Sequence, residues 1–247
     1  MMKLNCDMGE SFGQWQMGCD EAIMPHIDMA NIACGFHASD PVTMDKTVKL
    51  AKLHHVTIGA HPGYPDLQGF GRRAMHMSPN EIVSMVQYQV GALGAICQAN
   101  QVKLSYVKPH GALYHAMMQD GKVMTALMQG ISALNMDLAL MIQANREAER
   151  WAQLAKSVNL PLWFEAFADR RYQDTGELMP RSQAGAQLEL DEMLSQAQSL
   201  FRQQQVISQG GQPLGLKADT LCVHGDNPAA VAAIAKLAHM RDSLEQN

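Results

Sequence analysis

A chain of 247 residues, 47% hydrophobic and only 17% charged, can bury one large core, and it is long enough for a single α/β barrel of about 200–250 residues. Its net charge of −5 offers no cationic field to a phosphate backbone, which excludes nucleic acid as a partner. Cys6, Cys19, Cys34, Cys97 and Cys222 form no C-x-x-C pair, no apolar signal segment follows the N-terminus, and no apolar run approaches the roughly 20 residues of a membrane span, so a soluble protein of the reducing cytoplasm is expected.

The first predicted strand runs from Lys3 to Asp7 (KLNCD). Alternation puts Asn5 and Asp7 on one side of it, and Gly9 lets the chain turn so that Glu10 faces back over the strand end. Two neighbouring carboxylates suit general acid and base work or a divalent cation, although Asp7 could equally be a turn residue. The second strand, Ala30 to His37 (ANIACGFH), leads into Ser39-Asp40-Pro41, which caps a helix over Val42–His55. The third, Val56 to His61 (VTIGAH), opens a glycine- and proline-rich loop to Arg73 that holds Tyr64, Phe70 and paired arginines. A loop of that length usually carries function, and Arg73 is a candidate substrate contact. Asp7, His37 and His61 together offer the carboxylate and two imidazoles of a zinc or iron(II) centre with open positions, but no H-x-x-x-H pair fixes the geometry locally.

Ser78-Pro79-Asn80-Glu81 opens a long helix to about Asn100 as a capping box. The fourth strand, Lys103 to Lys108, continues into Pro109-His110-Gly111, which makes His110 a candidate acid or base and Lys108 a candidate to stabilise oxyanion charge. A helix over Asp120–Leu134 precedes a buried strand, Leu138–Ile142, followed by Gln143 and Asn145 instead of a histidine. Methionines 117, 118, 124 and 128 read as adaptable core filler. After a helix over Ala148–Val158, the strand Leu160–Ala166 carries Glu165 among apolar residues, so that carboxylate must be paired or raised in pKa.

A polar loop, Asp169 to Gln187, holds Arg181, a candidate clamp for a substrate carboxylate, while Asp169, Arg170 and Arg171 could form a surface ion-pair cluster. The helix Leu188–Gln205, a break at Gly210-Gly211 and a last strand, Thr220–Val223, lead to His224-Gly225-Asp226, two proton-transfer groups around a glycine. Asn227-Pro228 caps a closing alanine-rich helix to about Leu244.

Strands alternating with helices, most of them ending in an acid or a histidine, predict one (β/α) barrel domain spanning the chain, irregular or incompletely closed, with its site at the carboxyl ends of the strands. No G-x-x-x-x-G-K-[ST], no G-x-G-x-x-G after a strand and no G-x-S-x-G elbow occurs, so neither a nucleotide site nor a covalent mechanism is indicated.

Seven segments, LNCDMGESFG, ANIACGFHASDP, TIGAHPGYPDLQGFGRR, VKPHGALY, EAFADRRY, MPRSQAGA and CVHGDNP, together resemble the LamB/YcsF family in order along essentially the whole chain. The resemblance implies an irregular seven-stranded barrel related to the glycoside hydrolase/deacetylase fold. It also implies ATP-dependent opening of 5-oxo-L-proline to L-glutamate with two partner subunits, B and C, of a 5-oxoprolinase, the partners binding most of the ATP. In that reaction Asp7, Glu10, His110 and Glu165 would position and deprotonate water, with His224 and Asp226 as further proton-transfer groups. Lys108 or a histidine would stabilise the oxyanion, and Asn5, Arg73 and Arg181 would hold the substrate. Ser39, Ala184 and His115 depart from the glycine, proline and asparagine usual in the family, and His115 adds a titratable group at the site edge. Two other readings stand beside this one: a metal-dependent deacetylase or amidohydrolase built on Asp7, His37 and His61, and a non-catalytic component that binds a small acid.

Overall fold

In the computed structural model of the protein, residues 2–181, 183–225 and 228–245 are described. The first half of the chain forms β1 (Lys3–Met8), α1 (Asp20–Ile23), β2 (Met29–Ala33), α2 (Pro41–Leu53), β3 (Thr57–His61), α3 (Pro79–Ala99), β4 (Leu104–Val107) and α4 (Gly111–Gln119). The second half adds α5 (Gly121–Ser132), β5 (Ala139–Gln143), α6 (Ala148–Ser157), β6 (Leu162–Phe167), α7 (Leu190–Gln203), β7 (Gln205–Ile207), β8 (Pro213–Gly215), β9 (Thr220–Cys222) and α8 (Pro228–Glu245). Seven parallel strands close in the order β1-β2-β3-β4-β5-β6-β9, and β7-β8 is a separate antiparallel hairpin in the β6–β9 connection. Closure comes from β9, whose Leu221 pairs with Leu4 of β1 on one side and Ala166 of β6 on the other.

The strand residues explain this arrangement. Leu4, Cys6 and Met8 are fully buried on the helix side of β1, and alternation sends Asn5 and Asp7 into the barrel. At the amino-terminal end of the interior, Met29, Tyr106, Ala139 and Met141 form a small apolar cluster against Trp163. Gly59 makes room for it: a Cβ there would lie 2.1 Å from Tyr106 Cε2. Met117, Met124 and Met128 are fully buried among the helices, as core filler should be.

Several elements differ from the sequence expectation for local reasons. The second strand stops at Ala33, four residues before His37, because Gly35 adopts φ +92° and its N–H turns to the Ala38 carbonyl. Helices α1 and α4 and the β7-β8 hairpin carried no strong periodic signal in so few residues. The reading of the chain as lacking a span-length apolar run is corrected by α3, 21 residues with a mean hydropathy of 1.2 in its most apolar window. In the fold, Ile82, Val86, Val90 and Leu93 of that helix are buried in the core.

Asp40 pins the first loop to the barrel as the cap of α2. Its carboxylate accepts from Val42 N (2.8 Å), Thr43 N (3.1 Å) and, across 27 residues, Gly13 N (2.9 Å). Those bonds hold its pKa down to about 2, led by the Gly13 amide. A depressed carboxylate stabilises the fold above its unfolded pKa and loses that contribution as pH falls through the folded value. Asp40→Ala should cost about 1–2 kcal/mol at pH 7, measured by urea unfolding, and the difference from wild type should vanish near pH 2.

Candidate functional site

The floor of the site is a polar layer fixed by strand alternation. The Asn31 amide donates to Asn5 Oδ1 (2.9 Å) and Asp7 Oδ1 (2.8 Å), and the Tyr106 hydroxyl donates to Asn31 Oδ1 (2.7 Å). Lys108, at the end of β4, brings its ammonium to the centre of this layer. Nζ lies 3.2 Å from Asp7 Oδ1, 3.1 Å from Glu165 Oε2, 3.1 Å from Asn5 Oδ1 and 3.1 Å from Cys222 Sγ. Burial alone would strip the proton from Lys108, but the Asp7, Cys222 and Glu165 charges hold its pKa well above the ordinary lysine value. Burial likewise opposes ionisation of Asp7, and His61 and Lys108 overcome it, holding that carboxyl well below the usual range. At neutral pH the layer therefore carries the Lys108 ammonium beside the Asp7 carboxylate.

Above it stand three histidines from three strand ends. His61 Nδ1 donates to the Lys108 carbonyl (2.7 Å) and His110 Nε2 to the Phe70 carbonyl (2.8 Å), since a carbonyl can only accept. Their remaining nitrogens, His61 Nε2 and His110 Nδ1, face each other at 3.0 Å, with Asp7 Oδ2 3.4 Å from the former. Two lone pairs cannot face each other at that distance without a proton or a cation to share. His37 stacks on His110 with ring centroids 3.8 Å apart and planes 3° apart, and neither of its nitrogens has a hydrogen-bond partner. Burial, then the neighbouring histidines, holds His37 well below the ordinary range, and burial with His61 holds His110 down to about 3. Gly63 and Gly71 frame this stack, because a Cβ at either would lie 2.5 Å from His37 Nδ1 or 2.7 Å from His37 Cβ.

These histidines fit a divalent cation. Ligand atoms of Glu10, His37, His61 and His110 all lie within 4.8 Å of one another. Of the expected Asp7, His37 and His61 set, the two histidines fall in that group with Glu10 and His110, while Asp7 stands beside it, its Oδ1 shared between Asn31 and Lys108 and its Oδ2 3.4 Å from His61 Nε2.

On the other side of the barrel, His224 Nε2 accepts from Arg181 Nη2 (2.8 Å), which fixes Nδ1 as the donor to Asp169 Oδ2 (2.7 Å). Burial would raise Asp169, but its interaction with His224, and then the Arg181 and Arg170 charges, bring its pKa below the usual value. Asp169 is thus the orienting partner of a histidine instead of part of a surface cluster, while Arg171 does pair on the surface, with Glu192 at 2.7 Å.

A cavity of about 510 Å³ opens over the strand ends, and Asp7, Glu10, His61, Lys108, His110 and His224 all line it. Arg181 and the family-atypical His115 also reach it, as does Gln143, the amide that ends β5. Four predicted residues do not. Asn5 and Glu165 are fully buried in the floor and act on the cavity only through Lys108. His37 lies behind His110, and Arg73 turns outward to pair with Asp66, leaving its neighbour Arg72 in the cavity wall. Asp226 lies outside the described residues. Sequence reasoning missed Asp169, Arg170 and Arg72; the one available signal was that each stands in a loop directly after a barrel strand.

Comparison with known proteins gives a consistent set. The model of the LamB/YcsF family matches residues 2–247. The A subunit of 5-oxoprolinase from Vibrio parahaemolyticus is 53% identical over 238 residues, covering 96% of this chain and 94% of the relative. That of Chromohalobacter salexigens is 48% identical over 242 residues, covering 98% and 97%. The crystal structure of a lactam utilization protein from Thermus thermophilus superposes with a TM-score of 0.89 at 38% identity, covering 99% of this chain and 96% of that one.

Proposed function

The chain belongs to the LamB/YcsF family, and from that premise we propose that it opens the cyclic amide of 5-oxo-L-proline to L-glutamate as the A component of a cytoplasmic, ATP-dependent 5-oxoprolinase, with subunits B and C as its partners. The observation that carries the reading is the Lys108 ammonium, held between Asp7 and Glu165 at the base of the cavity over the strand ends. Hydrolysis of a lactam adds water to the carbonyl carbon, breaks the C–N bond and returns a proton to the departing nitrogen. Asp7 and Glu10 line the cavity where water would be oriented and deprotonated, and Lys108 supplies positive charge for the oxyanion that forms on the tetrahedral adduct as water adds. The proton that goes to nitrogen is assigned to the His61–His110 pair, whose facing ring nitrogens lie 3.0 Å apart and can share one.

A lactam is a stable amide, and coupling to ATP points to phosphorylation of its carbonyl oxygen before water attacks; that water would add to the carbon, the C–N bond would break with a proton to nitrogen to leave an acyl phosphate, and a second water would release phosphate and glutamate. Because the sequence has no phosphate-binding loop, the partners supply that chemistry and this barrel receives the activated lactam. Glutamate release from 5-oxo-L-proline and ATP should therefore need this chain together with B and C. Hydrolysis of ATP in step with 5-oxo-L-proline by the purified chain alone would overturn this division of labour.

The Glu10, His37, His61 and His110 group favours a second reading, a metal-dependent amidohydrolase acting without ATP. A divalent cation held there would polarise a carbonyl oxygen and lower the pKa of bound water. Stoichiometric metal in the purified chain, together with ATP-independent amide hydrolysis, would select that reading over the first.

A further inference from the structure

The arginines of this chain divide sharply by partner. Arg73, Arg150, Arg171 and Arg241 are each paired with a carboxylate. Arg72, Arg146, Arg170 and Arg181 have no carboxylate within salt-bridge distance among the described residues, and all four line the cavity. A chain of net charge −5 thus sets four guanidinium groups that lack a carboxylate partner among the described residues around one opening, while a fifth, Arg202, lies exposed on α7 away from it. Concave, low-dielectric walls of one sign focus the field and concentrate a ligand of the other sign.

The four are not equivalent. Arg170 is 2% exposed; its Nη2 donates to the Met179 carbonyl at 2.5 Å, and its Nε is buried with no partner at all. A buried guanidinium N–H left unmade is costly, so Arg170 borders the cavity with its hydrogen-bonding capacity only partly used. Arg181, half-buried beside it, is held by His224. Both arginines act on Asp169, but the hydrogen bond of that carboxylate goes to His224. Burial, then the charges of Arg170 and Arg181, keeps nearby His115 below the ordinary histidine range, so their field extends along the cavity wall. Arg72 and Arg146 are exposed at the mouth, Arg72 with its guanidinium 5.0 Å over the Phe70 ring and Arg146 touching the Asp174 carbonyl at 3.4 Å.

We propose that the cavity is a two-anion site: Arg170 and Arg181 bind the carboxylate of the lactam, and Arg72 with Arg146 bind a phosphoryl group carried in on the activated lactam. The assignment rests on the lactam reading above and adds to it the ionic form of the species received. The inner pair is held and desolvated, which suits a group that every substrate molecule presents in the same place. The outer pair is exposed to water, which suits a group that arrives from a partner and leaves as free phosphate. Planar guanidinium groups match the oxygens of both anions in two-pronged geometry.

Titration calorimetry on the full chain tests this with 5-oxo-L-proline, 2-pyrrolidinone, which is the same lactam without the carboxylate, and inorganic phosphate. The expected result is binding of 5-oxo-L-proline at least about tenfold tighter than 2-pyrrolidinone, and binding of phosphate to the chain already saturated with 5-oxo-L-proline. Arg170→Gln and Arg181→Gln should remove the preference for the carboxylate, and either variant alone suffices if the other fails to fold. R72Q and R146Q should weaken phosphate at least about fivefold more than they weaken 5-oxo-L-proline. Equal affinity for the two lactams overturns the inner assignment; phosphate that does not bind, or that displaces 5-oxo-L-proline one for one, overturns the outer one. Failure of both lactams alongside Arg72-dependent phosphate binding would instead sink the lactam reading, and the carboxylate subsite with it, while leaving the phosphoryl subsite standing.

Discussion

Replacing Lys108 with methionine is expected to lower glutamate release by the assembled enzyme about a thousandfold and to destabilise the chain by about 3–5 kcal/mol. Both effects come from the same contacts. The ammonium is the cation 3.2 Å from Asp7 and 3.1 Å from Glu165, and Glu165 is fully buried. Methionine matches the length of the stem but removes the one cation that both carboxyl groups contact in a low-dielectric layer. Removing the second carboxyl group should undo part of the damage: Lys108→Met with Glu165→Gln should be more stable than Lys108→Met alone and remain inactive, a coupling that a denaturant double-mutant cycle would read. The pH dependence follows from the directions of the shifts. Asp7 is held below its ordinary value, so its contribution is present above the unfolded carboxylate pKa and lost on acidification. Lys108 is held above its ordinary value, so its contribution is complete below the unfolded lysine pKa and lost only as pH rises through the folded one. Wild-type turnover in Lys108→Met would remove the oxyanion role.

Replacing His110 with asparagine is expected to reduce turnover of the reconstituted complex by about 10²–10⁴-fold while the barrel stays folded. The ring is 4% exposed and makes two hydrogen bonds, to the Phe70 carbonyl and to His61, so the change should cost about 1–3 kcal/mol. That is a small loss beside the loss of turnover, and circular dichroism with a thermal midpoint would separate the two. KM for 5-oxo-L-proline should change little, because His110 is assigned to the proton and the arginines to the substrate's charge. Unchanged turnover would take His110 out of the mechanism.

What could be read from the chain alone follows from the range of each interaction. Strand alternation is local, so the inward placement of Asn5 and Asp7 was legible, as were the strand-end positions of His61, Lys108, His110 and His224. Closure was not, because it depends on β9 fitting between β6 and β1 across more than fifty residues on one side and two hundred on the other. The pairing of charges was not legible for the same reason. Arg72 and Arg73 are indistinguishable in sequence, and only Asp66, held in the same turn, draws Arg73 outward and leaves Arg72 to the cavity. Asp169 looked like part of a surface cluster until β9 brought His224 to within 2.7 Å of it. Glu10 and His110 joined His37 and His61 as one ligand group only through the curvature of the barrel, whereas sequence order had favoured Asp7.

The cluster of Met29, Tyr106, Met141 and Trp163 behind the polar floor has a kinetic meaning of its own. It fills the end of the barrel interior opposite the cavity over the strand ends. On the proposed division of labour, a partner handing over an activated lactam would stand in the path by which glutamate and phosphate depart, so loading and unloading would not overlap. The ceiling on turnover would then be the dwell time of that partner at the rim, however fast the ring opens inside.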